Sequence, residues 1–307
     1  MSSADVRLGI IGLGDFGREH VAAALTTPGV EVVAVADVVS GRADQVASTH
    51  HILHAFNEPL GLIRSGLCDA VSIVTPAASH VELTREAVQH GLGVLLEKPV
   101  VASAGDADEL RAIAAAGIVV PAHLLRFADP YRSLRDRAGT PFHCGGLTAR
   151  RYRSVDHLER FPTLDPVLMT MIHDIDLAIW ITGSRAVSVV ARTTSVRGTG
   201  HSDLTVALVR DAHGRMWDLG AAWLLTGNVI PDRLEVYTSH DIVTLAPNVI
   251  LDPAAALCAQ LDHFAECIRS QRPSSIITLD EALHGVAIAV AVRESAARDG
   301  ESVSVAA

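Results

Sequence analysis

Val6-Arg7-Leu8-Gly9-Ile10-Ile11-Gly12-Leu13-Gly14-Asp15-Phe16-Gly17 is the stretch that decides the fold of this chain. Val6 to Ile11 is a short, β-branched apolar run that reads as a strand, and Arg18 to Leu25 is compatible with a helix. A second strand, Glu31 to Ala36, ends at Asp37, twenty residues after Gly17. A G-x-G-x-x-G pattern alone is weak. With a strand before it, a helix after it and an acid at this distance, it reads as a dinucleotide-binding turn. Gly12 makes the tight turn, Gly14 lets a pyrophosphate approach the backbone, and Gly17 permits close helix-sheet packing. Leu13, Asp15 and Phe16 complete the loop that meets the cofactor. The Asp37 carboxylate can accept hydrogen bonds from ribose hydroxyls and repels a 2′-phosphate, so NAD is expected over NADP. Arg42 is the nearby cation that would serve NADP instead.

Working outward, strand and helix patterns alternate: Ala70 to Val74, a helix near Val81 to His90, Gly93 to Leu96, a helix near Ala104 to Ala116, and Gly117 to Ala122. Regular βα alternation predicts a doubly wound, mostly parallel sheet. After residue 122 longer strands separated by turns take over: Leu204 to Arg210, Arg215 to Trp223, Arg233 to Tyr237 and Val243 to Leu245. The expected division is therefore residues 1–121 for cofactor binding and 122–307 for a second, sheet-rich domain that binds substrate. One helix interrupts the latter, with Asp165 as N-cap, Pro166 at its first position and Gly183 as its stop. The alanine-rich helix Leu279 to Ala297 is expected to dock back on the first domain.

The 307 residues carry 25 basic and 35 acidic side chains, a net charge of −10, which argues against nucleic acid or anionic lipid as partners. No apolar run reaches the roughly 18 residues of a membrane span and the start lacks a signal-peptide profile, so a cytoplasmic protein is expected. Cys68, Cys144, Cys258 and Cys267 form no CxxC pair and are expected to be reduced, buried and structural. Of the 25 basic residues, 24 are arginine and one is lysine, Lys98. Arginine keeps its proton near neutral pH, whereas a partly buried ammonium can be tuned to act as acid or base. Lys98 follows the strand Gly93 to Leu96 within Glu97-Lys98-Pro99, at the carboxyl edge where a doubly wound sheet binds its ligands. A cis Lys98-Pro99 bond would fix its direction.

Gly12 to Gly17, Thr75-Pro76-Ala77-Ala78-Ser79-His80, Glu97-Lys98-Pro99, Arg126-Phe127, His173-Asp174-Ile175-Asp176 and the ending from Arg272-Pro273 through Leu279 to Ala297 occur in that order. Together they resemble the Gfo/Idh/MocA family, the glucose-fructose oxidoreductase and inositol dehydrogenase-like enzymes, over nearly the whole chain. The resemblance implies an N-terminal Rossmann domain, a C-terminal α/β domain with an open, predominantly antiparallel mixed sheet, and hydride transfer between a nicotinamide cofactor and a carbinol or ketone carbon. The substrate would be a sugar, a cyclitol or a related polyhydroxylated compound, and the open sheet face would build a homodimer or homotetramer. Carried over by position, Lys98 contacts the reacting hydroxyl and the nicotinamide ribose, His173 takes the carbinol proton, and Asp176 and Arg126 hold other hydroxyls. Thr75, Pro76, His80 and Glu97 belong with the cofactor. Tyr152, His157 and Met169 belong with the substrate. Helical spacing agrees, since Met169, His173, Asp176 and Trp180 form one stripe and Asp174 points about 100° away.

Two positions depart from the family. Met169 stands where a carboxylate commonly precedes the histidine by four residues, and Ala77 stands where asparagine is frequent. Met169 keeps a cofactor-binding sensor without turnover as a second reading, and a redox-neutral, NAD-dependent glycoside-processing enzyme is a third. His50, His51 and His54 lack the further ligands of a zinc set, so no metal is expected. Arg150 to Arg153 read as a solvated or subunit-contacting strand; alternatively, Arg151 or Arg153 with His157 recognises an acidic sugar. Trp217 and Trp223, at strand spacing, read as core.

Overall fold

The structure, a computed structural model, describes residues 5–139, 144–160, 165–196, 202–226, 232–245 and 251–306. In chain order it runs β1 (Val6–Ile11), α1 (Asp15–Ala24), β2 (Val30–Ala36), α2 (Arg42–His50), β3 (His54–Phe56), α3 (Pro59–Ile63), β4 (Ala70–Ile73), α4 (His80–Gln89), β5 (Gly93–Glu97), α5 (Ala107–Ala114) and β6 (Val119–Ala122). It continues with α6 (Asp129–Ala138), β7 (Cys144–Ser154), α7 (Asp156–Arg160), α8 (Ile172–Thr182), β8 (Ala186–Thr194), β9 (Leu204–Asp211), β10 (Met216–Leu225), β11 (Arg233–Thr238), β12 (Ile242–Thr244), α9 (Pro253–Ser270), α10 (Leu279–Ala297) and β13 (Val303–Ser304). Two compact units result, one of residues 1–128 and 252–282, the other of 129–251 and 283–307.

The first unit is a six-stranded parallel sheet in the order β3-β2-β1-β4-β5-β6. Its central strands are covered on both faces, which is why they read as unbroken apolar runs: Ile10, Ile11, Val71, Ile73, Val94, Leu95 and Leu96 are fully buried. The strand order reverses between β1 and β4, and ligands bind doubly wound sheets outside the carboxyl ends at such a reversal. β3 was not foreseen, because three residues shortly after the half-buried His50 and the exposed His51 carry too little periodicity to separate strand from loop. The helix from this unit's distant segment is α9, which packs on α1, whereas α10 from Leu283 onward groups with the second unit. In the chain the first unit's main segment runs to residue 128, where 121 was expected. α9 begins as a good helix should, with Asp252 Oδ1 accepting the Ala255 N–H at 3.1 Å and proline at the first position.

The second unit is built on a mixed seven-stranded sheet, β12-β11-β7-β10-β9-β8-β13, in which only the β7–β10 pair is parallel. Burial alternates along β9, and α8 packs on β7 and β10. Trp217 and Trp223 are both fully buried, as expected of core, and Trp223 Nε1 donates to Thr170 Oγ1 at 2.8 Å. Asp165 caps the interrupting helix, accepting the Val167 and Leu168 N–H groups at 3.0 Å, and Gly183 ends it in the left-handed conformation. The single helix expected there opens instead with a π turn, Val167–Met171, four of whose five residues are buried. Among the described residues no helix is long and apolar enough to cross a membrane, and no group of histidine, cysteine and acidic side chains is arranged to hold a metal. All four cysteines are free thiols, and Cys258 is only half-buried, beside the exposed Thr26 hydroxyl, rather than enclosed as expected.

A methyl group added at Gly17 would lie 1.9 Å from the Gly12 carbonyl oxygen, whereas one added at Gly14 meets nothing within 4 Å. Gly17→Ala is therefore expected to cost about 1–3 kcal/mol in urea unfolding and Gly14→Ala well under half of that. Acid should also weaken the second unit. His284 is buried, its Nε2 accepts the Ala186 N–H at 2.9 Å, and burial, assisted by Arg185, pushes its pKa down to about 4. A histidine kept neutral in this way supports folding above its unfolded pKa of about 6.5 and loses that support as pH falls towards 4, up to about 3 kcal/mol. His284→Gln, which can still accept from Ala186, should flatten that part of the pH dependence of unfolding free energy.

Candidate active site

In the first unit, the register aligns Ile11, Ile73 and Leu96 on the adjacent strands β1, β4 and β5. The residues that follow, Gly12, Val74-Thr75 and Glu97-Lys98, therefore emerge side by side at the carboxyl edge. Gly12 sits at φ +90° with its Cα against the Val74 carbonyl, where any Cβ would come within 2.6 Å. Gly14 is the N-cap of α1, so the open space beside it lies at a helix N-terminus, where free amides and the helix dipole favour phosphate oxygens. Asp37, 5% exposed at the end of β2, accepts the Leu13 N–H at 2.7 Å and the Val39 N–H at 2.8 Å, and Arg42 NH1 reaches both its oxygens at 3.2–3.3 Å. These bonds aim the carboxylate and leave acceptor capacity for hydroxyls.

Thr75 Oγ1 and Ser79 Oγ stand 2.7 Å apart, and Ser79 Oγ donates to the Pro76 carbonyl at 2.9 Å. His80, fully buried, lies 2.9 Å through Nε2 from the Thr75 carbonyl and 3.3 Å through Nδ1 from that of Val100. Burial lowers its pKa, and the shorter contact assigns the ring hydrogen to Nε2, so the neutral ring braces this loop. The Lys98-Pro99 bond is cis, as the sequence suggested. Desolvation lowers the Lys98 pKa from the usual lysine value and Glu97 opposes the shift. Arg126, expected by resemblance to hold substrate hydroxyls, is buried. Its side chain is enclosed, and NH1 donates to the Ile276 carbonyl at 2.8 Å and to Glu281 at 3.2 Å.

In the second unit His173 stands out on α8, because it is the one residue of that eleven-residue helix that is not buried. Met169 in the π turn is likewise half-buried, while Asp176 and Trp180 are enclosed and the Arg135 guanidinium lies 4.5 Å from the Trp180 ring. The expected stripe thus divides into an open pair and a buried pair. Tyr152 is half-buried on β7, and the His157 ring packs 5.5 Å from Trp223.

Asp174, next to His173, accepts from Arg151 Nε at 3.2 Å and NH2 at 2.8 Å. Arg151 also pairs with Asp232 and takes a contact at 3.3 Å from NH2 to the Tyr131 hydroxyl, which donates to Asp232 at 3.0 Å. Arg153 NH1 reaches the same Asp232 at 2.8 Å. Two arginines and two aspartates balance in charge, so the reading in which Arg151 or Arg153 recognises an acidic sugar gives way to a structural one. Sequence reasoning missed Asp232 and Tyr131, 58 and 43 residues from Asp174, since nothing local links them.

The model of an oxidoreductase family with an NAD-binding Rossmann fold matches residues 6–120, and that of the GFO/IDH/MocA C-terminal domain matches 149–244. The UDP-N-acetylglucosamine 3-dehydrogenase of Acidithiobacillus ferrooxidans is 31% identical, the match covering 87% of this chain and 90% of that one. The scyllo-inositol 2-dehydrogenase (NAD(+)) of Bacillus subtilis is 25% identical over 91% of each chain. The crystal structure of scyllo-inositol dehydrogenase from Lactobacillus casei with bound NAD(H) and scyllo-inositol shares the fold at a TM-score of 0.89, with 20% identity over 99% of this chain and 100% of that one. The glycine turn, the aspartate at the end of β2 and the lysine at the end of β5 are thus features of a chain that belongs to the Gfo/Idh/MocA family of NAD-binding oxidoreductases.

Proposed function

We propose that this protein is an NAD(H)-dependent dehydrogenase or reductase acting on a CH–OH group of a cyclitol, sugar or related polyhydroxylated compound. The observation that carries the reading is Lys98: the sole lysine of the chain stands at the carboxyl edge beside the glycine turn, with burial lowering its pKa. The named relatives act on an inositol and on a sugar nucleotide, which supports the substrate class. The residues fit the cofactor. Gly14 leaves room for the pyrophosphate at the α1 N-terminus, and Asp37 offers acceptors to ribose hydroxyls but repels a 2′-phosphate, which favours NAD over NADP.

When bound, the nicotinamide supplies the hydride acceptor or donor. The protein's part is proton handling and orientation. His173, the half-buried residue of α8, takes the carbinol proton in oxidation and returns it in reduction. Lys98 holds the reacting oxygen and shares that proton, a role for which an ammonium of lowered pKa is suited and a guanidinium is not. Asp176, Tyr152, His157 and Met169 are proposed to shape the substrate region. Arg126, joined to Ile276 and Glu281, is proposed to act on substrate only by ordering that segment. The reading places the protein in the cytoplasm, in keeping with its four free thiols. The face of the second sheet that exposes Val190, Val206, Leu208, Met216 and Ile242 is proposed to join copies into a dimer or tetramer. Leu208→Glu should lower the mass measured by light scattering, and an unchanged mass would remove that surface from consideration.

The half-buried Met169 is the observation that favours a non-catalytic sensor. Polyols and sugars incubated with NAD and followed at 340 nm separate the readings. Net NADH is the expected outcome, product without net NADH supports the redox-neutral cycle, and NAD binding without product supports the sensor. On the best substrate, Lys98→Arg and His173→Ala should each lower kcat by about 10²–10⁴-fold. Wild-type turnover in either variant would remove that residue from the proposed chemistry.

A further inference from the structure

Beneath Lys98 lies a line of buried polar groups that neither the cofactor loop nor the proton transfer accounts for. His20, on α1 three residues beyond Gly17, is fully enclosed, with the Phe16 ring edge-on at 5.0 Å. Its Nδ1 lies 3.1 Å from the hydroxyl of Ser72, itself buried on β4. Its Nε2 lies 3.4 Å from Oε1 of Glu97, the last residue of β5. Neither Nε2 nor Oε1 has any other hydrogen-bond partner among the described residues, and both are buried, so each is the natural complement of the other. The other oxygen of Glu97 accepts the Lys98 backbone N–H at 3.0 Å.

A hydroxyl donating to Nδ1 leaves the ring hydrogen on Nε2, aimed at the carboxylate. Among the described residues, His20 from α1, His80 from α4 and Lys98 itself are titratable groups facing Glu97. His80 is committed to the Thr75 and Val100 carbonyls, so His20 is the ring free to serve Glu97. We propose that His20 is a positioning residue for Lys98: its Nε2–H anchors the buried Glu97 carboxylate beside the lysine, and the charge held there keeps the neighbouring ammonium protonated. Ser72 takes part by fixing the tautomer. The helix that forms the cofactor-binding turn would thereby also set the charge on the lysine, deepening the reading of Lys98 given above and resting on it only for the lysine's role in turnover.

Because Lys98 is the only lysine, full-length protein carrying ε-¹³C-lysine gives a single ε-carbon resonance whose pH titration reports this one ammonium. That readout needs no substrate, so its failure is distinguishable from a failure of the dehydrogenase assignment. His20→Asn keeps a polar group at the Nδ1 level but has nothing at Nε2, and should lower the titration midpoint by about one pH unit. Glu97→Gln should lower it as much, and the double variant no further. His20→Gln, which carries an N–H to the reach of Nε2, should restore the wild-type midpoint. Ser72→Ala, the smallest change, should give a partial drop and serves if His20→Asn does not fold. A midpoint in His20→Asn or Ser72→Ala that matches wild type, or one in Glu97→Gln that does not fall, overturns the proposal. On turnover, the basic limb of the kcat/KM profile should move with the resonance while substrate KM stays within about twofold.

Discussion

The distance between Gly17 and the Gly12 carbonyl leaves no room for a side chain, and the first unit is arranged around that constraint. It seats α1 against the end of β1, which aims the helix N-terminus at the space beside Gly14 and buries the opposite flank of α1 in the sheet. Leu13, within the same turn, donates its N–H to Asp37, so the loop also aims the carboxylate at the end of β2. His20 lies on that buried flank beside Ser72 and Glu97. One close backbone approach thus fixes the amides at the start of α1, the Asp37 carboxylate and the polar groups beside Lys98 together.

The second unit relies on a different device. Its sheet can be held by apolar alternation, but β7 also carries Arg151, enclosed beside Asp174 of α8 and Asp232 before β11. A buried guanidinium is tolerable only when its donors are met, and here a carboxylate on a helix, a carboxylate ahead of a strand and a tyrosine hydroxyl meet them. Asp174 is the neighbour of His173, so an ion pair spanning sheet and helix anchors the segment that presents the histidine. Every other residue of α8 is buried, which leaves His173 at the helix surface while its flanks are held.

Much of the first unit was legible because its signals are local. A strand, a glycine turn, a helix and an acid at a set spacing, followed by an apolar run ending in Glu97-Lys98-Pro99, each state a backbone requirement within a few residues. Less of the second was. β8, β13 and the start of β7 pair across long separations, and α9 draws its place from α1, more than two hundred residues earlier. The π turn before α8 shows the same limit, since a helical wheel with 3.6 residues per turn places Met169 and Asp176 on one stripe, whereas one is half-exposed and the other enclosed. Arg126 illustrates it for the site. Its position in the motif order is clear in the sequence, but its burial beside Ile276 and Glu281 is not.

By itself, the sequence determined the doubly wound fold, the cofactor class and the singular status of Lys98, because these rest on residue type and spacing: glycine's freedom at positive φ, a carboxylate at a set distance, one lysine among arginines. Only the tertiary structure decided which polar side chains face one another inside. Arg151 became structural rather than substrate-binding, Arg126 was drawn inward, and His20 came to stand against Glu97, all because the worth of a buried polar group depends on the partner that folding brings to it.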